Sequence, residues 1–575
     1  MEHNLDIYIS ADAIISSLGF STQENLDAIR NYRSGIALQK EGCIADHSIL
    51  AATIDKERLG KYALQYKITE YTCLEQLFIL SITQVLEQSG INLQEKDCGL
   101  ILSTTKGNID LLSRQTDTID EKIYLWNMAE RISQHFHAAN QAQVISNACI
   151  SGVSALIVAK RLIESGVYKK VVVAGGDILS HFITSGFLSF KSVSEKNCRP
   201  YDAHRDGLNL GEACGAVLLT TEKTANSVIL SGGAISNDAN HISGPSRTGD
   251  GLSMAIQHAM NEAGIGPEEI SFTNTHGTAT LYNDEMEAKA IHLAHLQDSP
   301  INSLKPYFGH TLGASGVIET IISLHELNGE LLFGTLGYEE SGVSMPVLVD
   351  ATHQALKMKS CVKTASGFGG CNAAIVLTLP GYQKVHPESS PINIRTSATL
   401  SIEKSQITLN GEVIFNSSHE DFASFIREAY KSLGENNMKF YKMDDLCKLG
   451  YVAAEHLLKG RCHKPEEMGV LLSNAASSLH TDIRHQTIID EAGDDNASPA
   501  VFVYTLPNVV LGEICIRHKI QGENTFFIDQ YFQADKIEKY ACIAMEKQKL
   551  KGCIIGWCEL IGNQYKAEFK LIEKQ

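Results

Sequence analysis

Short, continuous apolar runs alternate with amphipathic stretches along most of this chain. Apolar, β-prone runs end in small residues at Cys98–Ser103 (C-G-L-I-L-S), at Val144–Ile145 and at Lys170–Asp177 (K-V-V-V-A-G-G-D). Runs of this kind, without polar alternation, read as strands covered on both faces. Asp6–Ser10 reads as an opening strand, and Val217–Thr220 closes the first set. Between them, Ser21 (S-T-Q-E) starts a helix that runs through Asn31. Leu64–Ser89 predicts one long buried helix, and Ser154–Ile163 predicts a helix with an apolar face. The alternation then recurs. Strands are predicted at Ser227–Ala234, at S-F-T-N-T before His276 and at Ile375–Leu379, with helices over Gly251–Gly264, from Glu285 and from Gly316. Strand–helix–strand units at this spacing predict a layered α/β fold of two related halves, residues 1–225 and 226–382.

Residues 383–394 are polar with two prolines and read as a linker. The segment 395–575 opens with a strand-like pair around the hairpin signal Asn410-Gly411 and continues with helices over Glu420–Leu433 and Asp444–Leu458. Glu467–Asp482 (E-M-G-V-L-L-S-N-A-A-S-S-L-H-T-D) then matches Asp97–Asp110 (D-C-G-L-I-L-S-T-T-K-G-N-I-D) in its strand, its serine exit and its downstream acidic residue. Asn524–Phe527 would be the next strand, Ala534–Lys549 its helix and Gly552–Leu560 the strand after. The tail therefore reads as a repeat of the first half of the chain. Setting Gly556 on Gly175 puts Gln530 at the place Cys149 holds in the first copy, and a one-gap shift moves that place toward Thr525. Neither is a cysteine, so the repeat is expected to be non-catalytic. Its strand could pair with the Ser146–Cys149 edge of the same chain, giving a pseudo-dimer, or the tail could bind a separate, incomplete subunit.

Composition narrows the function classes. At 575 residues the chain exceeds one hydrophobic core, and 43 % hydrophobic with 20 % charged residues describes a globular protein. No basic start leads into an apolar run and no apolar run approaches a membrane span, so a cytoplasmic protein away from membranes is expected. The 14 cysteines form no C-x-x-C pair, which argues against zinc and against a disulfide framework. A net charge of −18 argues against nucleic acid as a partner.

Cys149 lies in V-I-S-N-A-C-I-S-G, where a buried strand hands over to a buried helix. A helix N-terminus is expected to lower the thiol pKa, and its free N–H groups can hold an oxyanion. Three further stretches stand out: Asn274–Thr280 (N-T-H-G-T-A-T), with Asp284 and Glu287 behind it; Ser303–Gly316 (S-L-K-P-Y-F-G-H-T-L-G-A-S-G), with Glu319 behind it; and Ser366–Asn372 (S-G-F-G-G-C-N). Arg199-Pro200-Tyr201-Asp202, Arg205-Asp206-Gly207 and Gly211-Glu212-Ala213-Cys214-Gly215 complete the set.

In this order these motifs resemble the β-ketoacyl-acyl-carrier-protein synthases, elongating type with a Cys-His-His triad, over residues 1 to about 382. The resemblance implies a thiolase-like fold, layered α-β-α-β-α, with the tail as an extra thiolase-like half-domain. It implies an acyltransferase in which Cys149 takes an acyl chain and condenses it with malonyl-carrier-protein, with loss of CO2, to a 3-oxoacyl-carrier-protein. Fatty-acid, aryl-polyene and polyketide pathways all use this chemistry. Within the resemblance, His276 and His310 are the neutral donors to the enolate oxygen, and Lys305 orients the second histidine, with Glu319 paired in the same network. The N–H groups of Cys149 and Phe368, with Gly369 in the same turn, form the oxyanion hole and acyl gate, and Thr278 and Thr280 bind the phosphopantetheine arm. No cofactor bound to the enzyme is implied; the substrates ride on the phosphopantetheine of acyl carrier protein. Homodimers, or pseudo-dimers and heterodimers with a ketosynthase-like partner, are the implied assemblies.

His310 separates the subtypes, because initiating synthases carry asparagine there, and Cys371, placed near a thiolase's second cysteine, follows the synthase turn Gly367–Gly370. The sequence departs from the family at Ile9–Ala13, which lacks the usual glycines, and at Ile150, where extra bulk is expected to narrow the acyl tunnel. The competing class is a non-catalytic chain-length or scaffold partner of another ketosynthase. Arg161, Lys169 and Lys170 are candidates for a carrier-docking patch.

Overall fold

The computed structural model describes residues 5–112, 119–382 and 392–575, so most of the predicted linker lies outside the described residues. Five strands of the first half form one sheet: β1 (Tyr8–Ser16), β2 (Cys98–Ser103), β3 (Gln143–Ile145), β4 (Lys170–Asp177) and β5 (Ala213–Thr220). Their order is β1-β5-β4-β2-β3, with β2 parallel to β3 and β4, and β5 antiparallel to β1 and β4. Every residue of β2 and β5 is buried, which is why these strands show no polar alternation. The second half repeats the pattern. β6 (Val228–Asn237), β7 (Phe272–Asn274), β8 (Pro300–Asn302), β9 (Ser360–Gly367) and β10 (Cys371–Thr378) lie in the order β6-β10-β9-β7-β8 with the same strand senses.

The helix predicted over Leu64–Ser89 is two helices. One spans Lys56–Gln65, started by Asp55, and α1 spans Cys73–Ser89. Lys67 turns left-handed between them (φ +56°), and Thr72 with Glu75 forms a capping box that starts α1 afresh. The helices that matter for the site are α2 (Ser151–Glu164) and α3 (Ser315–Gly329), which contact strands of both sheets. They cross almost backbone to backbone. A Cβ at Gly152 would stand 2.8 Å from the Val317 nitrogen, and one at Gly316 would stand 2.4 Å from the Val153 nitrogen. Only glycine allows that approach.

The tail builds the pattern a third time, with β11 (Ile394–Glu403), β12 (Gln406–Leu409), β13 (Glu412–Asn416), β14 (Met468–Asn474), β15 (Asn524–Ile528), β16 (Gly552–Ile561) and β17 (Gln564–Lys574). Strand order is β11-β17-β16-β14-β15, again with three parallel neighbours and two antiparallel steps. The strand pair predicted around Asn410 is three strands, because Lys404-Ser405 forms a first hairpin and Asn410-Gly411 (φ +52° and +85°) a second.

The tail docks on the first half through its third-copy strand. β15 pairs antiparallel with β3, Phe527 opposite Ile145 and Ile528 opposite Val144, and the Ser146 N–H donates to the Phe526 carbonyl at 3.1 Å. One sheet therefore runs from the first half into the tail within a single chain. The pairing covers Val144–Ser146 rather than Ser146–Cys149, because the backbone turns away at Ala148 (φ +50°). Register also corrects the tail's counterpart of Cys149. Ile145 and Phe527 both lie opposite the exit serine of the neighbouring strand, Ser103 and Ser473. Counting onward equally from each, Cys149 matches Tyr531, one residue beyond Gln530, and Tyr531 is 67 % exposed.

Two buried ion pairs cross the same interface. The Arg161 guanidinium meets Glu523 at 2.9 Å with neither side chain exposed, and the Lys106 ammonium meets Asp482 at 2.6 Å. Arg161 is thus an interface residue and not part of a docking surface; Lys169 is exposed, and Lys170 pairs with Glu95. Among the described residues no single helix is long and apolar enough to cross a membrane.

Candidate active site

Cys149 stands at a strained turn between β3 and α2. Ala148 occupies the left-handed region, and Ser151 locks it: the Ser151 hydroxyl accepts from the Asn147 N–H (2.7 Å) and donates to the Ala148 carbonyl (2.6 Å). Beside it, the buried Asp177 carboxylate at the end of β4 gathers two loops. It accepts from the Thr104 hydroxyl (2.6 Å), the Thr105 N–H (3.0 Å) and the Gly313 N–H (2.7 Å).

His310 reaches the thiol from the loop before α3. Its backbone N–H donates to the Asn209 carbonyl at 2.7 Å, and Gly309 (φ +68°) lies so close to Leu210 that no side chain fits there. The Leu312 N–H points at His310 Nδ1 (3.3 Å), which makes Nδ1 an acceptor and places the ring proton on Nε2. That Nε2 lies 3.2 Å from Cys149 Sγ. His276 follows β7. Its backbone N–H donates to Glu287 Oε1 at 2.7 Å, and the same carboxylate accepts from Gly277 N–H, Tyr201 and Thr364. The His276 ring stands edge-on to His310 at 5.2 Å, and its buried Nδ1 has no hydrogen-bond partner among the described residues. Donor atoms of Cys149, His276 and His310 all lie within 4.8 Å of one another. Among the described residues one other such group occurs, Asp46, His181 and Asp494, at the tail interface.

Charge in the site comes from a triad that spacing along the chain does not disclose. Glu319 accepts from Lys305 (2.8 Å) through one oxygen and pairs with Lys363 (2.5 Å) through the other, all three buried. No sequence motif points to Lys363; its only signal is that of a lone lysine inside the apolar run of β9. Burial would raise the Glu319 carboxyl, but the two ammonium groups outweigh it and hold it below the usual range. Both imidazoles are pushed well below their ordinary value, first by burial and then by Lys305 and Lys363. They are neutral at physiological pH. Lys305 therefore acts on His310 through its charge, its ammonium being bound to Glu319. Cys149 departs from the expectation: burial pushes its thiol up to about 12, against the lowering effect of Lys305, so at rest it is the protonated thiol.

A cavity of about 320 Å³ opens at the thiol, lined by Cys149, His276, His310, Thr278, Thr280 and Phe368 among others. The Thr278 and Thr280 hydroxyls share a hydrogen bond of 2.9 Å. A larger groove adjoins it, with Lys519 and Gln521 of the tail on its rim. Phe368 stacks near Phe187 and Phe190, and Phe502 of the tail completes this aromatic group, 5.5 Å from Phe187. Phe502 has room because residue 186 is glycine; a Cβ there would lie 2.2 Å from its ring. Gly367 brings the Phe368 turn against Cys149, since a Cβ there would stand 3.1 Å from the Cys149 nitrogen. Gly369 is corrected: its N–H is committed to the Ile242 carbonyl at 2.6 Å, so it shapes the turn and does not donate to an oxyanion. Ile150 is also corrected, being buried in the main core and not among the residues that line the cavity.

A buried thiol under two neutral imidazoles, on paired five-stranded halves, defines a condensing acyltransferase of thiolase-like fold. Family models for the beta-ketoacyl synthase N-terminal and C-terminal domains match residues 13–225 and 227–339, and the chain belongs to that family. A 3-oxoacyl-[acyl-carrier-protein] synthase 2 of Vibrio harveyi is 25 % identical over 406 residues, covering 64 % of this chain and 97 % of that protein. Its counterpart in Vibrio cholerae is 28 % identical over 329 residues, covering 51 % and 79 %. These relatives place the enzyme class as 3-oxoacyl-[acyl-carrier-protein] synthase. Among solved structures, the ketosynthase ApeO in complex with its chain length factor ApeC, from Xenorhabdus doucetiae, matches with TM-score 0.57 at 25 % identity, over 65 % of this chain and 98 % of that one. The PfaC keto synthase-chain length factor matches with TM-score 0.77 at 14 % identity, over 99 % of this chain and 78 % of that one, a likeness of fold that includes the tail.

Proposed function

We propose that the chain condenses an acyl group held on Cys149 with a malonyl thioester, both delivered on the phosphopantetheine of acyl carrier protein. The observation that carries this reading is His310 Nε2 at 3.2 Å from Cys149 Sγ with His276 alongside. In the first step the Cys149 sulfur attacks the acyl thioester carbonyl. The carrier's thiol leaves and ends with the proton that Cys149 gives up. The oxyanion lies between the N–H groups of Cys149 and Phe368, and the Phe368 side chain gates the cavity. The malonyl thioester then binds along Thr278 and Thr280. Its carboxylate departs as CO2, and the electron pair moves onto the thioester oxygen, an enolate that His276 and His310 stabilise as donors. The enolate carbon attacks the acyl-Cys149 carbonyl, the Cys149 sulfur leaves, and uptake of one proton regenerates the thiol and releases the 3-oxoacyl-carrier-protein.

The tail fits the role of chain-length partner, which is the competing reading for the chain as a whole. It carries Tyr531 where a nucleophile would stand, and it places Phe502 against the wall of the acyl cavity. Intact-mass spectrometry tests the reading. Acyl-carrier-protein should leave an acyl adduct on the chain that is absent in Cys149→Ala, and malonyl-carrier-protein should then release CO2. Absence of an adduct across short and long acyl chains would overturn it.

A further inference from the structure

The turn that carries Phe368 is held from the tail. The Asn508 side-chain amide donates to the Phe368 carbonyl at 2.8 Å, across the interface formed by β15 and β3. The N–H at the other end of the same peptide unit, that of Gly369, donates to the Ile242 carbonyl at 2.6 Å. The Gly369 carbonyl accepts from the Asn237 side chain at 2.9 Å. Gly369 lies at φ +89°, and a glycine there lets the 368–369 peptide plane rotate at little steric cost. Bonds to both its C=O and its N–H select one orientation. Helix α4 (Val509–His518) of the tail closes the space behind, since a Cβ at Gly512 would lie 2.6 Å from the Gly369 oxygen. Asn508 itself is 1 % exposed.

We infer that Asn508 is a positioning residue, through which the tail fixes the Phe368 turn in the orientation that completes the acylation site. The Asn508 bond anchors the Phe368 carbonyl, and with Gly367 packed against the Cys149 nitrogen it limits how far the Phe368 Cα, and with it the ring and the N–H, can shift relative to Cys149. The tail thus supplies part of the machinery for the first half-reaction although it holds no reacting group. This inference rests on the reading of Cys149 as an acyl acceptor.

The test compares two reactions of the same thiol in the full chain. Transfer of an acyl group from acyl-carrier-protein passes through an oxyanion; alkylation by iodoacetamide does not. In Asn508→Ala and in Asn508→Asp, which keeps the shape but offers no donor, acylation of Cys149 should slow at least tenfold while alkylation stays within about twofold of the parent. Asn508→Gln, which retains the donor, should recover part of the acylation rate. Gly512→Ala, which pushes on the turn from behind, should slow acylation in the same selective way. Equal rates of acylation in Asn508→Asp and the parent would overturn the inference. So would a parallel loss of acylation and alkylation, which marks a general structural defect. A parent chain that alkylates but never acylates would instead overturn the functional reading beneath it.

Discussion

His276 and His310 sit beside two lysine ammonium groups and away from water, and both effects disfavour the imidazolium. The proposed role of both as donors to an enolate needs the neutral ring, so CO2 release from malonyl-carrier-protein should stay level as pH falls from 8 to 6.5 and decline only well below that. Lys363→Met removes one of the two charges, and the acid limb of the CO2-release profile should then move to higher pH. An unchanged limb would show that Lys363 does not act on the histidines. Linkage adds a stability consequence. Below about pH 6.5 the unfolded chain protonates these histidines and the folded chain does not, so stability falls with pH by up to about 1.4 kcal/mol per unit for each ring. Chemical denaturation at pH 7.5 and 5.5 measures it, and replacing both histidines by glutamine should flatten the difference. His310→Ala, read by CO2 release, should cost about 10²–10³-fold, as expected for loss of one preorganised donor.

At the scale of elements, two helices built on the same plan show what each copy of the fold is for. α2 is buried along nearly its whole length, because a second sheet covers the face that the first leaves free. Its counterpart α5 (Ala534–Lys547) buries Ile537, Tyr540, Ala541, Ala544 and Met545 along one stripe and is mostly charged elsewhere, because among the described residues no second sheet covers it there. The tail spends its remaining apolar surface on the first half. Phe502 is 4 % exposed and packs on Phe182, Phe187 and Phe190. Phe502→Ala should cost about 3–5 kcal/mol in denaturant unfolding. It should also enlarge the acyl cavity, so that the spread of acyl chains accepted on Cys149 shifts to longer ones; an unchanged spread would place Phe502 outside the path of the chain.

At the scale of the whole molecule, β15 occupies the edge of β3, so no strand edge is left there for a second copy. The full chain should sediment as a 62.8 kDa species without dimers built on that edge. A form ending at Tyr382 uncovers β3, Arg161 and Lys106, and should self-associate or precipitate. The same assembly state for both would count against the pseudo-dimer. Much of this molecule is legible in its residue pattern. Buried parallel strands are apolar throughout, so the two halves and the third copy can be read as alternating runs, and Cys149, His276 and His310 lie in short motifs whose residue types are tied to the chemistry. The break at Tyr66–Thr72 is not legible as such, because an apolar period continues across it while Lys67 and the Thr72 cap decide the backbone. The raised pKa of the Cys149 thiol is not legible either, since desolvation depends on what covers the helix terminus. Lys363, Phe502 and Asn508 stand in ordinary sequence surroundings. They gain their meaning only where β9 faces α3 and where the tail meets the Phe368 turn, across separations along the chain that no local pattern records. The sequence by itself determined the candidate site motifs and the repeated strand plan, because both rest on local residue types. Only the tertiary structure decided how the third copy is used, because its strand edge, its ion pairs and its side chains at the acyl cavity all act through contacts between distant segments.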